Sequence, residues 1–160
     1  MGYLVEDVKV QYNNALDVSL DEIVIDSKEG DISSIPRWLA QNLSESGIVT
    51  IHDKDDAAYV SRTLNLERIA RAHDVSGINA DFYIRVNDYL SSLDEKDRER
   101  IIVSLNSFVV SRIEKIVKLA AASTLTPTIR EKLSVEEREL YDLIHEATTA
   151  FKKRVLKKFD

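Results

Sequence analysis

The residues able to do chemistry are few and scattered. His145-Glu146-Ala147-Thr148-Thr149 opens like the zinc-protease helix, which needs a second histidine one turn on, and Thr149 stands there instead. His145 therefore reads as a solvent-facing side chain. Asp53 and Asp55 open like a calcium loop, but its sixth position is Ala58 where a glycine must turn, and its twelfth is Leu64 where a bidentate glutamate must close the site. A solvated acidic linker is the simpler reading. His52, His73 and His145 have no sequence-local serine and acid partners, and no Gly-x-Ser-x-Gly elbow occurs. With four glycines the chain holds neither a Gly-x-Gly-x-x-Gly turn nor a phosphate-cradling loop. It has no cysteine, which excludes thiolate zinc, iron–sulfur clusters, disulfides and a cysteine nucleophile. No catalytic residue, metal ligand or cofactor is expected. A hydrolase with a site assembled only by the fold is the weakest class.

Three features suit binding better. Arg112 lies within an apolar stripe, where arginine is rarely buried without a partner. Either it snorkels to the edge of the stripe, or it pairs with a carboxylate inside the domain or across a subunit interface. Trp38 reads as core or as an interface anchor. Lys152, Lys153, Arg154, Lys157 and Lys158 close the chain with five cations in seven residues. They complement a helix C-terminus, and they could also touch phosphates in a salt-sensitive way.

The elements that must position these residues change character along the chain. Val8, Val10 and Tyr12 alternate, as do Ile23 and Ile25, which predicts half-buried strands with a turn at Asn13-Asn14. Gly30 to Ser34 breaks the pattern. Ser34 is the expected N-cap of a helix carrying Pro36, Trp38, Leu39, Ala40 and Leu43, with Gly47 as its stop. Ile48, Val49 and Ile51 read as a returning strand. Leu64, Leu66, Ile69 and Ala70 then mark a helix, and Phe82, Tyr83, Val86 and Leu90 another. Asp94 caps a long helix over about 95–122, where Leu105, Phe108, Arg112, Ile116 and Leu119 step by 3, 4, 4 and 3. Ile102, Val109, Ile113 and Ala120 widen that stripe enough for packing on two sides. Thr126-Pro127 starts a short turn. Ser134-Val135-Glu136-Glu137 is a capping box for a last helix with Leu140, Ile144, Ala147 and Phe151 on one face.

Charge follows the same division. The 160 residues carry a net charge of −6, so no global cationic footprint for nucleic acid exists. Residues 1–60 hold 4 basic and 12 acidic side chains, and residues 61–160 hold 18 and 16. Two modules are expected: a small β-rich domain with one helix over residues 1–55, and a larger α-helical domain over 56–160. The class is α+β. No run of 18 apolar residues suggests a membrane span, and the start lacks the basic-then-apolar order of a secretory signal.

Three stretches, taken in order, resemble the GINS family of DNA-replication proteins, in the archaeal type with the small β domain N-terminal. They are Ile35-Pro36-Arg37-Trp38-Leu39-Ala40-Gln41-Asn42-Leu43 with Gly47-Ile48-Val49, then Ala80-Asp81-Phe82-Tyr83, then Arg112-Ile113-Glu114-Lys115-Ile116-Val117 with Leu133-Ser134-Val135-Glu136-Glu137-Arg138-Glu139-Leu140-Tyr141 behind it. They span about residues 35 to 141.

The resemblance implies a non-enzymatic scaffold in the cytoplasm at replication forks. It implies a tetramer, two copies each of two GINS subunit types, that binds the MCM replicative helicase and a RecJ-like companion, with weak or no direct DNA binding. On this reading Phe82, Tyr83, Phe108, Arg112, Ile116 and Tyr141 form the helical interface, with Phe82 and Tyr83 locking the domain internally or at that interface. Trp38, Asp53, Asp55 and Asp56 belong to a docking edge for a basic partner. The alternative is a helical nucleic-acid-binding or regulatory adaptor using the basic C-terminal helix.

Overall fold

A computed structural model describes residues 2–20, 23–52, 54–71, 74–122 and 125–157, with backbone alone at Leu20, Ile23, Lys54 and Asp55. In chain order the elements are α1 (Gly2–Val5), β1 (Asp7–Tyr12), β2 (Leu16–Leu20), β3 (Ile23–Ser27), β4 (Ile32–Pro36), α2 (Arg37–Glu45), β5 (Val49–Ile51), α3 (Lys54–Ile69), α4 (Phe82–Ser91), α5 (Glu95–Ala122), α6 (Pro127–Arg130) and α7 (Val135–Leu156). The class is α+β, a small β-rich region followed by a mostly helical one. The chain divides into two units, Met1–Ala57 and Ala58–Asp160. No described helix is long and apolar enough to cross a membrane.

The alternation in β1 builds the first unit. Val8, Val10 and Tyr12 point into its core, while Asp7 and Lys9 face water. An antiparallel sheet of order β4-β1-β5 results, with Val10 opposite Ser33 on one side and Ile51 on the other. Ile35, Leu39, Ala40 and Val49 close the core, and Ile25 joins it from a separate β2–β3 hairpin. Each fully buried aliphatic side chain contributes roughly 1.5–3 kcal/mol to holding that unit together. Asn13 ties the turn after β1 to the chain around β5: its amide donates to the Gly47 carbonyl at 3.1 Å, and its side-chain oxygen accepts from Thr50 at 3.0 Å.

Several local expectations change here. Gly30, at φ +88°, ends a turn, but Ile32 to Pro36 then resume as β4. Ser34 is consequently a strand residue opposite Lys9, and Pro36 is the N-cap of α2, without a side-chain cap. Gly47 does follow the helix in a left-handed conformation, at φ +72°, as the residue after the Ser46 C-cap. The described part of the expected acidic linker is helical, since α3 begins at Lys54. The expected boundary after residue 55 falls two residues later, after Ala57.

Caps fix the helices of the second unit. The Asp94 carboxylate accepts from Asp97 N–H at 2.8 Å, and Thr126 caps α6. The capping box of α7 is complete: Glu137 N–H donates to Ser134 Oγ, and Ser134 N–H to Glu137 Oε2, both at 3.2 Å. Phe82 lies at the centre of one core, with its ring 5.1 Å from Phe108 and 5.2 Å from Tyr83. Val75, Ile116, Ala120, Leu133 and Tyr141 form another. Contacts advance together along the two long helices, Arg112 to Glu137 and Ala120 to His145, so α5 and α7 run parallel.

The hairpin carries one uncompensated feature. Asp17 lies directly opposite Asp26, and both are exposed. Like charges facing across a strand pair are destabilising. Asp26→Lys makes that pair attractive and is expected to raise stability by about 0.5–1 kcal/mol, read as a higher thermal midpoint of the full chain.

Candidate functional site

Arg112 is fully buried, and all five of its N–H donors are engaged. Nε donates to Glu137 Oε1 at 2.8 Å and Nη2 to Glu137 Oε2 at 2.5 Å, a two-pronged grip on one carboxylate. Nη1 donates to Glu67 Oε2 at 3.1 Å and to the Ser76 carbonyl at 2.6 Å. Nη2 also reaches the Lys132 carbonyl at 3.2 Å. Lys115, one turn along α5, donates to Glu67 Oε1 at 2.5 Å. Tyr83 Oη donates to Glu137 Oε1 at 3.0 Å, and Ser76 gives Glu67 both its hydroxyl and its backbone N–H. Two cations and two carboxylates thus form a neutral buried cluster that joins α3, α4, α5 and α7.

Its electrostatics follow from burial opposed by pairing. Burial alone would raise the Glu67 carboxyl, but hydrogen bonds from Lys115 and Ser76 and the charge of Arg112 outweigh it and hold the group below its ordinary value. Burial pulls Arg112 down, and Glu137 and Glu67 more than restore it. Tyr83 is pushed far up, by burial first and then by the Glu137 charge beside it. The shifts of Glu67, Arg112 and Tyr83 all run away from neutrality, so these three keep their charge states there. The arrangement fixes the orientation of the helices that carry it.

The choice left open for Arg112 is therefore settled as an ion pair within its own unit. The expected helical interface changes with it. Phe108, Arg112, Ile116 and Tyr141 are buried by their own unit, and Phe82 and Tyr83 take the internal of their two expected roles, Phe82 within a core and Tyr83 half-buried against Glu137. A side chain already enclosed has no surface to offer a partner. His145 is likewise not solvent-facing: it stacks on Tyr141 with ring centroids 5.5 Å apart, and Nδ1 lies 3.0 Å from the Ala120 carbonyl. Lys152 donates to the Ala121 carbonyl at 2.5 Å, so one of the five tail cations serves the C-terminus of α5. Lys153, Arg154 and Lys157 are exposed, and Lys158 lies outside the described residues.

One acid of the expected docking edge is enclosed within its own unit. Asp56 is buried and pairs with Arg37 at 3.4 Å, while the Arg37 guanidinium sits 4.2 Å over the Tyr3 ring. Asp53 lies outside the described residues, as does the Asp55 side chain. Trp38 is 40% exposed and is not core.

What the second unit does present is the far side of α5. The helix packs on one side only. Ile102, Val103, Val110, Ile113 and Val117 are exposed along an arc of roughly 100° at helical spacing. Beside this strip, between α3 and α5, runs a groove of ≈ 700 Å³ lined by Leu64, Asn65, Arg68, Ser104, Ser107 and Phe108 among others. Ser104 and Ser107 hydrogen-bond to carbonyls of their own helix, at Arg100 and Val103, and so are not poised as nucleophiles. Among the described residues no group of three or more His, Asp or Glu is placed to hold a metal. The sequence matches no protein-family model and no curated protein.

Glu67 is the residue that sequence reasoning missed. It extends the inner stripe of α3, with Val60, Thr63 and Leu64, at steps of 3, 1 and 3. A carboxylate in one apolar stripe and an arginine in another is a signal for a buried pair.

Two outcomes are expected. Arg112→Met leaves two carboxylates short of a buried partner and lowers stability by about 3–5 kcal/mol, measured by urea unfolding of the full chain. Glu67 in the unfolded chain takes up its proton near 4.5, before the folded form does. Its stabilisation is therefore complete above that pH and is lost as pH falls through the lower folded value. Unfolding midpoints compared between about pH 6 and about pH 3 should fall less steeply in Glu67→Gln than in the parent chain.

Proposed function

We propose that this chain is a non-enzymatic scaffold subunit of a GINS-like complex, one that binds the replicative helicase and holds its partners together at the replication fork. The single observation that carries the reading is the bare apolar face of α5. A long helix whose polar cluster is enclosed and whose outer face remains apolar is built to be covered by another protein. The acidic β-rich unit followed by a helical unit is the order that the resemblance requires. The three matching stretches also fall on coherent elements: α2 with β5, the start of α4, and the α5–α7 pair.

In this role the chain does no chemistry. It raises the effective concentration of bound proteins and fixes their orientation. Assembly with a second subunit type and contact with a RecJ-like companion belong to the same proposal.

A second reading rests on the end of α7. Beyond Lys152 the helix presents Lys153, Arg154 and Lys157 to solvent, a small patch suited to phosphates.

Capture of purified MCM helicase by the immobilised full-length chain tests the first reading. Retention of helicase that survives moderate salt is expected. No retention, together with duplex DNA binding whose affinity falls steeply with salt, would transfer the assignment to the tail.

A further inference from the structure

Val103, Val110 and Val117 stand seven residues apart on α5 and are 67%, 57% and 40% exposed. Asn106 and Ile113 fall between them, so the strip steps by 3, 4, 3 and 4. That is the spacing of a seam meeting a second helix at a shallow angle, with a β-branched residue at every seventh position. The period selects a helix as the occupant over an extended segment or a flat surface.

The flank of the seam selects which helix. Arg100 and Glu114 lie on the same side of it, both exposed, with Ser107 midway between them. A second α5 laid parallel about a two-fold axis would hold the two charged flanks on opposite sides of the seam, where Arg100 and Glu114 of the two copies do not meet. Laid antiparallel about a two-fold axis between Asn106 and Val110, it sets Val103 against the other copy's Ile113 and Val110 against its Asn106. It also brings each Arg100 beside the other copy's Glu114, twice by symmetry. Among the described residues Arg100 otherwise makes an exposed contact with Asp97 at 3.7 Å, which it can exchange at little cost. A shallow hollow lined by Asn106, Ser107, Val110, Ser111 and Glu114 lies at the proposed axis, where small serines admit close approach.

We infer that two copies of this chain pair through an antiparallel α5–α5 seam centred between Asn106 and Val110. The inference deepens the assembly reading above and rests on α5 being the face that is covered.

The chain contains no cysteine, so single introduced cysteines report the pairing cleanly. Light scattering on the full chain should give twice the 18.2 kDa monomer mass. Val110→Glu, at an exposed position, should keep its helical circular dichroism and raise the dimer dissociation constant at least about tenfold. Arg100→Glu and Glu114→Arg should each weaken the dimer by roughly fivefold, and the double swap should restore it. On oxidation, Asn106→Cys mixed with Val110→Cys should cross-link to each other more than either does to itself.

A folded chain that stays monomeric overturns the pairing, as does preferential self-cross-linking of Val110→Cys or a double swap no better than the single ones. Helicase capture separates the two levels. A monomer that still captures helicase removes this inference alone, and a dimer that captures none removes the helicase reading alone.

Discussion

The buried ion cluster around Arg112 is the constraint from which the helical unit takes its geometry. A guanidinium with no exposed surface is tolerable only if every donor is met, and five acceptors from four chain segments meet it. Those acceptors are three oxygens of two carboxylates and two backbone carbonyls, so the loops that carry Ser76 and Lys132 are fixed along with α3 and α7. Hydrophobic contacts alone would accept many rotations of one helix against another. A two-pronged pair accepts few.

The rotation of α7 shows this. Its apolar spacing suggests that Leu140, Ile144, Ala147 and Phe151 face inward, and Ala147 and Phe151 are in fact exposed. Glu137 must point at Arg112, and that turns the helix so that Tyr141, Ile144, His145, Thr148 and Lys152 follow on the inner side. From there His145 and Thr148 reach the Ala120 carbonyl and Lys152 reaches that of Ala121. One ion pair near the start of α7 thus decides what covers the end of α5, two turns and more further on. The same Glu137 serves the capping box, so the helix start and the buried cluster form together.

Much of the fold was legible because it depends on local rules. The alternation of Val8, Val10 and Tyr12, the Ser134 capping box, the Gly47 stop and the span of α5 from Glu95 to Ala122 all follow from neighbours within a few residues. The site was legible only in part, because it depends on partners far apart in sequence. Arg112 stood out as an anomaly in its stripe. Its partners Glu67 and Glu137 lie 45 and 25 residues away, so the stripe position of the one and the capping box of the other mark each locally but do not say that both converge on Arg112. Asp56 failed for the same reason: in a run of charges it reads as solvated, and only the distant Arg37 makes it a buried partner. The aromatic and apolar residues expected at an interface are large and well spaced, which describes a core as well as it describes a contact surface.

That ambiguity bears on how a scaffold can be built on this fold. Arg112, Phe108 and Ile116 hold the inner side of α5, whereas Val103, Val110 and Val117 lie about half a turn away on the outer side. A helix of this length drives folding with one face and leaves the other available for association. Because Arg112 is fully saturated inside, the outer face has no need of buried charge, and its polar content falls to Asn106 within the strip and to Arg100 and Glu114 at the rim. Apolar side chains at the centre of a contact supply area, while rim charges set orientation and register. On the proposed reading, stability and association fall on opposite sides of a single helix, so a change on the outer strip would alter pairing while leaving the ion cluster that folds the unit intact.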